Sequence, residues 1–253
     1  MKAESKICQS CKETFMIYPE DFTLYDKLKV SSPTFCPECR LRRRLAFRNE
    51  RTLYKRQCDM CGENVISAYS PKNRYTVYCP KCWYSDKWDA NSYGRNYDFS
   101  RNFFEQFLDL DKAIPHIALF QKNNVNSAWV NYETDDKNCY LNVGGHFNED
   151  SAYNQYALES REVFDNFWAM KSEFAYESIL CRHCYRIFFS RLCIECRDTY
   201  FSQDCRNCSY VFGCIGLRNK QYYVYNEYVG KEGFENFLQE NGLSSQRTLA
   251  AAK

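Results

Sequence analysis

The residues able to do chemistry are cysteines, sixteen among 253 positions. Four Cys-x-x-Cys pairs occupy the first third of the chain: Cys8/Cys11, Cys36/Cys39, Cys58/Cys61 and Cys79/Cys82. Two intervening residues form a tight knuckle that aims two thiolates at one point, and two knuckles complete a tetrahedron of soft donors. Pairing neighbours gives two closed structural sites, Cys8, Cys11, Cys36 and Cys39 in one and Cys58, Cys61, Cys79 and Cys82 in the other. Zinc is the expected ion at both, with a rubredoxin-like iron the alternative that spacing leaves open. Four thiolates leave no open coordination position, the histidines number three (His116, His146, His183), and no HExxH or Ser/His/Asp logic is present. The expectation is a non-catalytic protein.

Six further cysteines stand in "CRHCYRIFFSRL CIECRDTYFSQD CRNCSYVFGCIG", residues 181–216, as three blocks of twelve. Cys181, Cys193 and Cys205 share the first column; Cys184, Cys196 and Cys208 share the fourth. A third metal site at Cys181, Cys184, Cys193 and Cys196, with His183 nearby, is feasible but leaves Cys205 and Cys208 unused. The favoured expectation is a ladder of reduced thiols filling a core. Disulfides fit least: "MKAESKICQSCKETF" has no apolar signal region and no run approaches membrane-spanning length, so a reducing, cytoplasmic location without a membrane partner is expected.

The elements that must position these thiols follow from periodicity. The twelve-residue frame extends without insertion over nine blocks, 121–228. Its eighth column reads Ala128, Tyr140, Ala152, Phe164, Tyr176, Phe188, Tyr200, Phe212 and Val224; its tenth reads Val130, Asn142, Asn154, Asn166, Ser178, Ser190, Ser202, Cys214 and Asn226. Aromatic columns beside an Asn/Ser ladder suit a parallel β-solenoid, whose rungs stack equivalent residues. A spacing of two predicts that both columns share one strand face, with the aromatics inward. The likeness of "NSAWVNY" to "DSAYNQY" favours two blocks per coil. The fold class is therefore mainly β, two small zinc modules followed by a solenoid with helical caps.

Five segments are expected. Residues 1–57 read as a treble-clef-like finger, with Phe22, Tyr25 and Leu28 on one face of a helix and a second helix running from "CPEC" to Arg56. Residues 58–85 read as a zinc ribbon, with β-prone runs from Val65 to Tyr69 and Tyr75 to Tyr78. In 86–120, Ser100 caps a helix whose Phe103, Phe104, Phe107 and Leu108 dock on the first solenoid turn. The repeats occupy 121–228. Residues 229–253 hold a capping helix with Phe234, Phe237 and Leu238, stopping at Gly242, and a disordered tail.

Charge is uneven although the chain totals +2. Residues 1–90 carry 17 Lys/Arg against 11 Asp/Glu, a formal +6. Arg40, Arg42, Arg43, Arg44, Arg48, Arg51, Lys55 and Arg56 stand against one acid, Glu50. That stripe is a candidate phosphate-binding surface. A zinc with four thiolates carries a formal −2, so neutralising the two centres is the competing role for the same arginines. Trp83, Tyr84 and Trp88 offer stacking surfaces, although packing around the small module is favoured for them. The leading expectation is nucleic-acid or ribonucleoprotein binding, RNA before DNA because no groove-reading module is evident. The alternative is a protein–protein adaptor using the solenoid surface, with zinc purely structural; no small-molecule substrate is evident.

The stretches "PTFCPECRLRRRLAFRNERTLYKRQCDMCG", "VYCPKCWYSDKWD", "DFSRNFFEQF" and "LRNKQYYVYNEYVGKE" resemble a family from uncultured small-genome bacteria, in which paired N-terminal zinc ribbons precede Cys/Tyr-rich repeats. The resemblance spans about residues 6–235. It implies zinc at the eight N-terminal cysteines and supplies no activity. Blocks four and five here are poorer in cysteine than that pattern.

Overall fold

The computed structural model describes residues 2–46 and 49–241, in two compact units, Met1–Asn49 and Glu50–Lys253. In the first, β1 (Glu4–Ile7) and β2 (Thr14–Ile17) form an antiparallel hairpin. Alternation buries Phe15 and Ile17 against the cysteines. Helix α1 (Pro19–Leu28) starts where Pro19 presets φ and the Asp21 carboxylate accepts the Tyr18 amide at 3.0 Å. It packs Phe22 and Tyr25 on that cluster, while Leu28 stays exposed. Helix α2 (Pro37–Leu45) follows.

The helix expected to reach Arg56 ends at Leu45, because Tyr54–Gln57 is a strand, β3, paired antiparallel with β4 (Asn64–Ser67). β3 thus belongs with the second cysteine module rather than with the first segment. The ribbon strands are also not the expected pair. β5 (Val77–Tyr78) runs parallel to β6 (His116–Ile117). Asp59 draws β5 alongside the knuckle, its backbone N–H donating to the Val77 carbonyl (2.9 Å) and its carboxylate accepting the Val77 N–H (2.6 Å). A single-turn α3 (Pro80–Trp83) follows.

Helix α4 (Phe103–Ala113) is capped by Asn102, whose side chain accepts the Phe104 amide at 2.8 Å, not by Ser100, which is bound to Asp98. Nor does α4 bury its apolar face: none of its residues is buried, and Phe104 remains 74% exposed, while Asp111 accepts the Tyr75 hydroxyl at 3.1 Å. Ala118 and Leu119, which follow β6, are buried.

From Gln121 the chain winds one parallel coil per twelve residues, not two blocks per coil: Gln155 pairs with Phe167 and Phe167 with Ile179, while Glu173 pairs with Tyr185 and Tyr185 with Arg197. A six-stranded sheet runs from Gln121–Lys122 to Ile179–Arg182, and a seven-stranded one from Arg161–Phe164 to Glu227–Tyr228, whose last pairing is antiparallel.

The period within a coil is three. Nearly every third residue from Asn123 to Tyr225 has a positive φ, and each such residue turns a corner. Inward side chains therefore recur at Ser151, Asn154, Ala157, Ser160 and Val163, all buried. A pleated strand would place the eighth and tenth columns on one face; the corner between them puts them on opposite sides of the wall. The tenth-column ladder is inside: Asn166 Nδ2 donates to Asn154 Oδ1 and Asn154 Nδ2 to Asn142 Oδ1, both at 3.0 Å. The hydroxyls of Ser178, Ser190 and Ser202 continue it by accepting the backbone N–H one coil on. The eighth-column aromatics are outside the wall, a correction to their expected inward stacking. Tyr140 and Phe164 are solvent-exposed, whereas Phe188, Tyr200, Phe212 and Val224 are buried in one cluster with Phe234 of helix α5 (Gly230–Glu240). Gly144 and Gly213 occupy corners where a Cβ would strike the ring of Tyr156 (2.9 Å) or Tyr225 (2.7 Å) from the next coil. Gly242 and the tail lie outside the described residues.

Candidate metal centres and basic surface

Each metal centre is built from a hairpin and a helix start. Cys8 and Cys11 sit at the β1–β2 turn, with Cys8 N–H donating to the Glu13 carbonyl (2.9 Å) and Lys12 taking φ 66°. Cys58 and Cys61 repeat this at β3–β4, with Cys58 N–H to Glu63 (2.9 Å) and Gly62 at φ 75°. The second knuckle of each is Cys-Pro-x-Cys. Cys36 and Cys79 are N-caps whose sulfurs accept the N–H of Cys39 (3.5 Å) and Cys82 (3.4 Å). In both, the second knuckle's first N–H reaches the hairpin's first sulfur at 3.2 Å. The two modules share one plan, which separate readings as finger and ribbon missed. The available signal was Cys-x-x-Cys-Lys-Glu at residue 8 against Cys-x-x-Cys-Gly-Glu at residue 58, with the second pair opening Cys-Pro in each.

Within each set the four sulfur atoms lie within 4.8 Å of one another. Cys11–Cys36 is 3.7 Å and Cys61–Cys79 is 3.9 Å. A tetrahedron with metal–sulfur bonds of ~2.3 Å has edges of ~3.8 Å, so both sets fit a zinc ion. The protonation pattern asks for a cation. Burial opposes ionisation of Cys8, yet N–H groups of Cys36, Cys11 and Ser10 bring its thiol down to about 6. At Cys11 the Glu13 N–H favours the thiolate, but burial and the neighbouring thiols outweigh it and push the group up to about 12. Cys58 falls to about 7, N–H bonds overcoming burial, and burial with crowding by the other sulfurs lifts Cys82 to about 12. Four thiolates coexist there only around a divalent ion. Trp83 and Trp88 pack on each other (centroids 4.6 Å, Trp88 Nε1–H to the Trp83 carbonyl 2.8 Å), leaving Tyr84 as the exposed ring.

The solenoid thiols make no third cage. Among the described residues no other group of three or more donors gathers within 4.8 Å, and His183 sits at an exposed corner. Cys181, Cys184, Cys193, Cys196, Cys205 and Cys208 all point into the core at 0–3% exposure. Their thiols donate to carbonyls two residues back, as Cys184 does to Arg182 (3.2 Å) and Cys196 to Ile194 (3.3 Å). Ser172 and Ser190 make the same bond, each at 2.9 Å, so cysteine here fills a small-donor position.

The basic stripe divides. Arg42, Arg43 and Arg44 are exposed on α2, Arg40 is half-buried, and Arg43 stacks 4.7 Å over Phe35. No carboxylate among the described residues pairs with Arg42, Arg43 or Arg44. Arg48 lies outside the described residues. Arg51, Lys55 and Arg56 fall in the second unit with partners there: Arg51 donates to Gln155 (2.8 Å), Lys55 lies 5.8 Å over Trp129, and Arg56 pairs with Asp59 (2.8 Å).

One site escaped sequence reasoning. Glu133 and Asp136 are inward residues, fully buried beside Asn148, whose Nδ2 is 3.4 Å from Glu133 Oε2. Burial first, then Asp136, pushes the Glu133 carboxyl up to about 10. Gly145, one coil on, makes the room: a Cβ there would lie 2.8 Å from Glu133 Oε2. No helix among the described residues is long and apolar enough to cross a membrane. No family model matches this chain and no curated protein matches it either, so its chemistry is argued from two four-cysteine centres, a basic helix and a solenoid wall.

Proposed function

We propose that this is a non-catalytic zinc protein that binds RNA through the first cysteine module, as the resemblance to a small-genome bacterial family leaves open. The carrying observation is α2, whose Arg42, Arg43 and Arg44 are exposed and, among the described residues, have no carboxylate partner, immediately after the Cys36/Cys39 knuckle. A metal-fixed helix start holds these guanidinium groups in one place, which suits contact with phosphates rather than with base edges. Arg51, Lys55 and Arg56 contribute less, because their own partners occupy them. Zinc is structural in this reading and the protein cytoplasmic.

The test is binding to a labelled single-stranded RNA at several salt concentrations. Exchanging Arg42, Arg43 and Arg44 together for Gln is expected to weaken binding at least about tenfold and to lower the salt slope by roughly two to three. Salt-independent binding, or none by the parent chain, discards the RNA role. A protein adaptor is then favoured by a specific feature, the exposed Phe99, Phe103, Phe104 and Phe107 on and before α4.

A further inference from the structure

The six thiols of residues 181–208 have a second arrangement besides their bonds to carbonyls: they stack one above the next between coils. Cys181, Cys193 and Cys205 follow one another at a spacing of one coil, as do Cys184, Cys196 and Cys208. The backbone fixes that stacking. Arg182 N–H donates to the Cys193 carbonyl, Ile194 N–H to Cys205 and Tyr185 N–H to Cys196, each at 3.0 Å. Residues beside the cysteines pair in register, Arg182 with Ile194 and Ile194 with Arg206. Neighbouring parallel strands lie ~4.8 Å apart. Disulfides span Cα separations of roughly 4.4–6.8 Å. Stacked inward cysteines therefore fall within the Cα range of a disulfide.

We propose that this ladder is an oxidative cross-linking site, at which a hydroperoxide joins cysteines one coil apart, Cys184 to Cys196 and Cys193 to either Cys181 or Cys205. Two S–H bonds break and one S–S bond forms; the two electrons and two protons cleave the peroxide O–O bond, and hydrogen peroxide leaves as two waters. Two features select this chemistry. No three ladder sulfurs gather closely enough to cage a metal, whereas pairs stack one coil apart. The interior is closed to protein-sized oxidants at 0–3% exposure, so the reagent is one as small as water. The reduced ladder is the resting state, and oxidation ties neighbouring coils to one another covalently. The site is independent of what the basic helix binds.

The test uses the full chain with its metal bound, treated with hydrogen peroxide, alkylated and digested with trypsin. Cleavage after Arg182, Arg186, Arg191, Arg197 and Arg206 separates Cys181, Cys184 and Cys205 and leaves Cys193 with Cys196 in the peptide LCIECR. The expected product is HCYR joined to LCIECR, reversed by dithiothreitol and lost in Cys184→Ser, while the link from Cys193 persists. Serine at 184 keeps the fold, since Ser172 and Ser190 hold equivalent inward positions with the same carbonyl bond. The proposal is overturned if links form only inside LCIECR or only among the eight metal-site cysteines. It is equally overturned if ladder links require prior denaturation.

Discussion

Glu133 sets the residue scale, a carboxyl at an inward position where the next four coils place Gly145, Ala157, Ala169 and Cys181. With its folded pKa raised to about 10, the native chain holds a proton that the unfolded chain releases above the ordinary carboxylate range near 4.5. The folded state thus binds more protons through that window, and stability falls as pH rises from about 4.5 toward 10. Glu133→Gln keeps the shape and removes the titration. We expect it to stabilise the protein by on the order of 2–4 kcal/mol at pH 8 and to do little at pH 4. Thermal denaturation across that range checks this, and parallel pH curves for parent and variant would refute it. The block "ETDDKNCYLNVG" hides this residue among ordinary turn polars, because its burial depends on Gly145 one coil later. The metal cysteines were legible for the opposite reason: each pair is local, and its chemistry survives ignorance of the fold.

At the scale of elements, the twelve-residue frame was visible and its inner geometry was not. Corner residues such as Tyr156, Glu162 and Phe174 take positive φ, a conformation that no propensity assigns to them. Reading the blocks as pleated strands therefore put the aromatics inside. Helix α2 was similarly overextended, since the Arg-rich run suits a helix until β3 is claimed by its partner β4. The outer aromatics predict where elements couple. Phe212 and Phe237 of α5 meet edge to face with centroids 5.0 Å apart. Phe212→Ala and Phe237→Ala are each expected to cost roughly 3 kcal/mol in urea denaturation. The double variant should cost less than their sum by about 0.5–1.5 kcal/mol. Strict additivity would mean that α5 does not brace the last coils.

For the whole molecule, metal-dependent folding belongs to the two cysteine modules, the second of which shares a compact unit with the solenoid. The first unit's buried core is Phe15 and Ile17 with its cysteines, and the second module's is Cys58, Cys79 and Cys82. Neither supports a fold unaided. The solenoid core of Ala157, Val163, Ile187, Val211 and the ladder thiols needs no ion. A strong chelator should release two metal ions per chain, one from each four-cysteine set. Limited proteolysis should then remove the cysteine modules and spare the coils, with the far-ultraviolet β signal retained. Loss of the coils on chelation would contradict this independence.

The corner at every third residue also governs how this chain can change in length. Removing or duplicating twelve residues within the repeats returns each side chain to the wall it left, so the interior ladder, the outer aromatics and the interstrand register all survive. A gain or loss of three preserves inward and outward but moves everything downstream a quarter of the way round, so that each column is broken at that coil. A gain or loss of one or two turns serine and asparagine out to water and drives corner residues into a core with no space for them. Evolution of this region is thereby confined to whole-coil steps, and related chains should differ in reach along the solenoid axis by increments of about 4.8 Å.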